Sequence, residues 1–103
     1  MMTKALLGTW VVDPTDDVAR DRFGEVAMCF DANGSLRYMI RAGDQDQIML
    51  LRYRVEGDEL VTDQPSAPRE DRTQFSFTWD GRLVLNYGEF SAHYVRQSAV
   101  GAA

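Results

Sequence analysis

His93 is the only histidine of this 103-residue chain and Cys29 its only cysteine, so these two side chains bound the nucleophilic and metal chemistry open to it. A thiol becomes a catalytic nucleophile when a base within hydrogen-bond reach takes its proton. The alternation around each residue, A-M-C-F and A-H-Y-V, turns both side chains outward on strands separated by a third, which keeps them apart. One histidine and one cysteine also fall short of the ligand sets zinc takes. The many Asp residues sit in turns and at a helix start, where capping employs them. The sequence therefore predicts no catalytic residue, no metal ligand and no cofactor, and a binding protein rather than an enzyme.

The phenolic groups hold more interest. All four tyrosines, Tyr38, Tyr53, Tyr87 and Tyr94, fall on the same alternation parity as the apolar residues around them, together with Thr62. A buried hydroxyl without a partner costs about 1–3 kcal/mol, so such an interior implies internal hydrogen bonds, trapped water or a polar-tipped ligand. Trp10, Phe30, Phe75, Phe77 and Phe90 share that face, and their volume suits a packed interior as well as a lined cavity.

Strands must position these side chains. Period-2 alternation recurs between turn signals over 8–13, 25–31, 35–42, 47–56, 59–64, 73–79, 82–87 and 90–97. The pattern F-x-x-[ND]-G-x-L occurs twice, from Phe30 to Leu36 and from Phe77 to Leu83. Each copy reads as a three-residue hairpin loop whose glycine, Gly34 or Gly81, is left-handed and sets Phe beside Leu. Two-residue turns at Gly57-Asp58 and Gly88-Glu89 carry the inward parity onward. A four-residue connection over 43–46 sets Leu36 by Tyr53, Tyr38 by Leu51 and Ile40 by Met49. Because Ile48, Met49, Leu50 and Leu51 are all apolar, a one-residue slip there would exchange the two faces.

Short connections make sequence neighbours sheet neighbours, and eight antiparallel strands in that order close into an all-β up-and-down barrel. The stretch D-P-T-D-D-V-A-R-D-R-F-G between the first two strands reads as a short helix with Asp13 as N-cap and Gly24 as its stop. Closure places the tight turns at one end. The helix, as lid or plug, and the semi-rigid loop Q-P-S-A-P-R-E-D-R share the other end. A ligand pocket belongs at that loop end, lined by Val26, Ile40, Met49, Tyr53, Thr62, Phe75, Tyr87 and Phe90. Trp79, in a tight-end loop, is expected to fold back over the barrel floor.

Gly8-Thr9-Trp10 at the start of the first strand, with Arg96 near the end of the last, resembles the G-x-W and terminal Arg of the lipocalin and calycin superfamily. The compact chain is similar to the small bacterial lipocalin-like domains of that group. The resemblance implies a barrel closed at one end by the Arg packed over the Trp, and a carrier or sensor of a small, partly apolar ligand held inside. A guanidinium on an indole face suits that end because it covers apolar surface while donating to backbone carbonyls.

A second surface supports an alternative. Met39, Ile48 and Leu50 are expected on the outer wall of strands three and four, rimmed by Arg37, Arg41, Arg52 and Arg54, with Arg37 opposite Arg52. An apolar patch with an arginine rim has the composition of a protein interface. Glu25 across from Arg41 neutralises one charge, and the other three ask for a protein partner or a second subunit. Under this reading the chain is an interaction or inhibitor module, acting through this wall or the loops, and a homodimer.

Sixteen acids against eleven bases leave a net charge of −5, which works against nucleic-acid binding. No apolar run reaches the roughly 20 residues of a bilayer span, so no membrane partner is expected. With a single cysteine, a cytoplasmic location is expected. The length suits one domain over 1–97, followed by a flexible tail over 98–103.

Overall fold

The computed structural model describes residues 5–66 and 69–97. The tail expected over 98–103 lies outside the described residues, as do Ala67 and Pro68 of the predicted semi-rigid loop. The strands are β1 (Gly8–Val12), β2 (Val26–Phe30), β3 (Ser35–Ala42), β4 (Gln45–Glu56), β5 (Glu59–Asp63), β6 (Glu70–Phe77), β7 (Leu83–Asn86) and β8 (Ser91–Arg96). One helix, α1 (Asp17–Phe23), joins β1 to β2. The strands pair antiparallel in chain order, and β8 returns to β1 through Trp10↔Arg96, Val11↔Val95 and Val12↔Tyr94. The result is the expected closed eight-stranded barrel.

Turn chemistry sets most of the register. Gly34 (φ 89°) and Gly81 (φ 88°) are left-handed, and they place Phe30 opposite Leu36 and Phe77 opposite Leu83. The two-residue turn after Glu56 aligns Val55 with Leu60 and Tyr53 with Thr62. Across β7 and β8, Leu83 faces Tyr94 and Leu85 faces Ala92.

The β3–β4 hairpin differs from expectation. Its turn is only Gly43-Asp44, with Gly43 at φ 69° and Ala42 opposite Gln45. The register therefore moves by two residues, to Leu36↔Leu51, Tyr38↔Met49 and Ile40↔Gln47. A shift of two preserves every side chain's face. It also sets Arg37 opposite Leu50, in place of Arg52, and so removes a like-charge pair. A left-handed glycine permits the tight turn, and the longer ladder satisfies backbone groups that a wider loop would leave to water.

The helix begins later than expected. Its N-cap is Asp16, whose side chain accepts from Ala19 N at 3.1 Å, and Gly24 (φ 67°) ends it with its N–H on Arg20 O. Asp13 is instead buried, and Oδ1 accepts from Thr15 N at 2.9 Å and from its hydroxyl at 2.8 Å. Strand β6 starts at Glu70, because Asp71 and Arg72 pair with Thr62 and Val61 on β5.

At the tight-turn end the core contains Leu6, Trp10, Phe30, Leu36, Leu60 and Leu83, all buried. Trp79 does not fold over this floor. It is 97% exposed at the tip of its hairpin. Val61 is buried on the outer face, opposite Arg54 and Arg72, whose side chains bridge Glu56, Glu59 and Glu70 above it. The aliphatic stems of these arginines cover Val61 while their charged ends remain in water.

Candidate functional site

Above the floor, the barrel interior changes character. Tyr38, Ile40, Leu51, Thr62, Phe75 and Phe90 are only half-buried, although they alternate inward. Met49 is 36% exposed opposite Tyr38, and Tyr87 is 38% exposed. At the upper end of the barrel these inward-facing side chains still meet water.

Three tyrosines gather there. The Tyr87 and Tyr94 hydroxyls lie 3.2 Å apart, and among the described residues the Tyr38 hydroxyl has no hydrogen-bond partner. Burial, and then the neighbouring Tyr87, pushes the Tyr38 phenol up to about 12. Burial pushes Tyr94 up too, and Tyr87 adds to it in the same direction. For Tyr87 burial outweighs the opposing hydrogen bond from Tyr94. All three are therefore neutral phenols at neutral pH, able to donate and accept.

Helix α1 closes one side of this space. Ala19 is buried, and the Phe23 ring packs, tilted, against Tyr87 at 5.5 Å and Phe90 at 5.8 Å, with the Arg22 guanidinium 4.7 Å over Phe90. An opening remains beside β6. Strand β7 pairs with β6 only from Phe77↔Leu83 to Gln74↔Asn86, so among the described residues no strand pairs with β6 residues 70–73 on that side. A cleft of about 470 Å³ occupies this seam, lined by Glu59, Arg72, Thr73, Gln74, Asn86 and Tyr87. Tyr87 thus stands between the lateral cleft and the interior hydroxyls.

The predicted lining residues divide between two places. Ile40, Met49, Phe75, Tyr87 and Phe90 belong to the half-open region, with Thr62 on its wall and Val26 buried behind it. Tyr53 goes to the floor, since the two-residue shift carries it down to Gly34. Its hydroxyl donates to Asp31 O at 2.7 Å, and its ring meets Phe30 edge-on at 5.0 Å. Tyr38, Tyr94 and Phe23 also belong to the site, beyond the expected lining. Parity marked the first two as inward, but helix docking alone brings in Phe23.

A second polar cluster lies outside the barrel, where α1 meets β8. Asp16 Oδ2 accepts from His93 N at 2.9 Å and lies 3.0 Å from His93 Nδ1. Burial pushes Asp16 up, but the hydrogen bonds from Ala19 N and His93 outweigh it and hold the carboxyl below its usual range. An ionised carboxylate only accepts, so His93 Nδ1 carries the proton. Asp13 Oδ2 accepts from Arg82 Nη1 at 2.9 Å beside this pair, and a pocket of about 280 Å³ lies over both. Thr15, the hydroxyl lining that pocket, donates to Asp13 and not to the imidazole. Cys29 is opposite Thr9 toward the floor end, while His93 is opposite Val84. The sequence foresaw that separation. It gave no sign of the Asp16–His93 contact, whose residues are 77 apart.

On the outer wall, Ile48 and Leu50 are 58% and 64% exposed and Met39 is half-buried. Arg54 is not free: Glu56 and Glu70 hold it. Asp46 lies 3.6 Å from Arg41, while Glu25 meets Arg41 through a backbone bond. Arg37 and Arg52 have no ion pair among the described residues.

Among the described residues no group of three or more His, Cys, Asp or Glu is placed to hold a metal ion, and no helix is long and apolar enough to cross a membrane. No protein-family model, curated protein or solved structure matches the chain.

Proposed function

We propose that this chain is a lipocalin-like binding protein that holds a small, partly apolar ligand with a hydrogen-bonding tip in the upper half of the barrel, without chemistry on it. The observation that carries the reading is the Tyr38 hydroxyl, which among the described residues has no protein partner and is open to solvent, near Tyr87 and Tyr94 among inward apolar residues that remain in contact with water. A packed core would bury these groups against one another. Here Met49, Ile40 and Phe75 supply an apolar wall, and the phenols supply neutral donors and acceptors. A neutral hydroxyl-bearing or carbonyl-bearing molecule fits this lining better than an anion, since no free cation faces inward among the described residues. The Arg96–Trp10 floor makes the lipocalin-like reading coherent, because it seals the opposite end.

Native mass spectrometry of the purified chain tests for a retained small molecule, and titration with 1-naphthol tests the lining. Binding is expected to weaken about tenfold in Tyr38→Phe, the loss of one hydrogen bond to a ligand. Unchanged binding in both Tyr38→Phe and Tyr87→Ala sinks the proposal.

A further inference from the structure

The β3–β4 hairpin outruns its neighbour on one side. Strand β5 accompanies β4 only from Glu56↔Glu59 to Arg52↔Asp63, whereas β3 follows it out to Gln45. Residues 45–51 are thus bonded on the β3 side alone, and among the described residues no other backbone hydrogen bond reaches them. Every residue from Gln45 to Leu50 is exposed, on both faces of the ribbon.

The alternation of an antiparallel ladder identifies the free groups. Tyr53 N donates to Gly34 O on the β3 side at 2.9 Å, so the odd-numbered residues of β4 bond toward β3 and the even-numbered ones toward the other edge. At Arg52, Arg54 and Glu56 that edge is filled by β5. At Asp46, Ile48 and Leu50 it is open. Exposed strand edges template further strands unless proline, charged side chains, a bulge or a covering element guards them. Q-D-Q-I-M-L-L contains neither proline nor lysine, and Asp46 is its one charged residue.

We propose that this edge is an interface with a second copy of the chain, β4 against β4, antiparallel about a two-fold axis at Ile48. Ile48 then faces Ile48 of the second copy, and Asp46 faces its Leu50. Even residues meet even residues, so every free donor and acceptor of the edge finds its counterpart. The Gly43-Asp44 turn of each copy stops where β5 of the other begins, at Arg52. Charge complementarity selects this direction. On the outer face, each edge has Asp46, which also lies 3.6 Å from Arg41, toward one end and Arg52, which has no ion pair among the described residues, at the other. Antiparallel order brings Asp46 within diagonal reach of the second copy's Arg52, whereas parallel order stacks Arg52 on Arg52. The exposed Ile48 and Leu50 are covered in the same step.

Disulfide trapping tests the register. In a Cys29→Ser background, Ile48→Cys places two thiols across the axis, within the Cα separation a disulfide requires. Leu50→Cys places its pair four residues out of register, beyond that span. Under oxidised glutathione, Ile48→Cys is expected to cross-link at least about tenfold faster than Leu50→Cys, since only the former meets the disulfide geometry. Sedimentation equilibrium of the unmodified chain is expected to show a monomer–dimer equilibrium. Ile48→Pro, which removes an edge N–H and no β3 bond, weakens it at least about tenfold. Equal cross-linking at the two positions, a dimer indifferent to Ile48→Pro, or a monomer throughout the accessible concentration range overturns the proposal.

Discussion

The guanidinium of Arg96 lies 4.3 Å over the Trp10 ring and donates to Ala5 O at 2.8 Å and to Leu7 O, while Trp10 Nε1 donates to Leu6 O at 2.9 Å. The last strand is thereby fastened to the first and to the turn that precedes it. Gly8 completes the device: its φ is 110°, and a Cβ there would stand 2.9 Å from Arg96 Nη1. The G-x-W spacing places the small residue under the arginine and the large one beneath its face.

Arg96→Ala is expected to lower the unfolding free energy by about 2 kcal/mol, from the lost ring contact and carbonyl bonds. Arg96→Lys restores only part, because an ammonium cannot lie flat on the indole and reach both carbonyls. Gly8→Ala costs about 1–3 kcal/mol through backbone strain alone. Urea unfolding monitored by circular dichroism measures all three, and wild-type midpoints for Arg96→Ala and Gly8→Ala would refute this account of the floor.

Asp16 ties α1 to β8, and its contribution depends on pH. Its folded-state pKa is depressed, so its stabilisation is present above the unfolded value of about 3.9 and is lost as pH falls through the folded one. Asp16→Ala, which loses the cap and the His93 contact, is expected to cost about 1–2 kcal/mol at pH 7. The gap between wild type and variant should close as pH drops below 4, and a gap independent of pH between 2 and 7 contradicts this role.

The interior tyrosines give the opposite sign. Burial raises the pKa of Tyr38 to about 12 and pushes that of Tyr94 upward, above the unfolded value of about 10. Their contribution is whole below pH 10 and is lost as pH rises through the folded values. Absorbance at 295 nm during alkaline titration is expected to show delayed phenolate formation that becomes ordinary in urea. Tyr38→Phe removes the component near 12, and its persistence in that variant would misplace Tyr38.

The two tryptophans report on opposite environments. Trp10 is buried and Trp79 is 97% exposed, so acrylamide should quench two distinct populations. Trp79→Ala is expected to remove the accessible population and change stability by less than about 0.5 kcal/mol, as surface substitutions do. A larger loss of stability would mean that the indole has a contact in solution.

Much of this barrel is written in short-range signals. Gly34, Gly57, Gly81 and Gly88 each fix a hairpin, and a fixed hairpin with period-2 alternation determines which residues face inward. That is why the strand order, the closure and the pairing of Phe30 with Leu36 or Phe77 with Leu83 follow from the chain itself. The β3–β4 register escaped, because Gly43 permits turns of two lengths and the apolar run at Ile48–Leu51 gives no alternation to choose between them. Parity survived since the two solutions differ by two residues.

What the sequence could not specify are the contacts made by docking. Asp13 and Asp16 both satisfy the rules for an N-cap, and only the seating of α1 against β8 assigns the cap to Asp16 and buries Asp13 on Arg82. The meeting of Phe23 with Tyr87, the seam beside β6 and the bare edge of β4 depend on how far each strand extends past its neighbour. Strand parity is a local property with a period of two, whereas stagger and helix placement are settled by the closed ring as a whole.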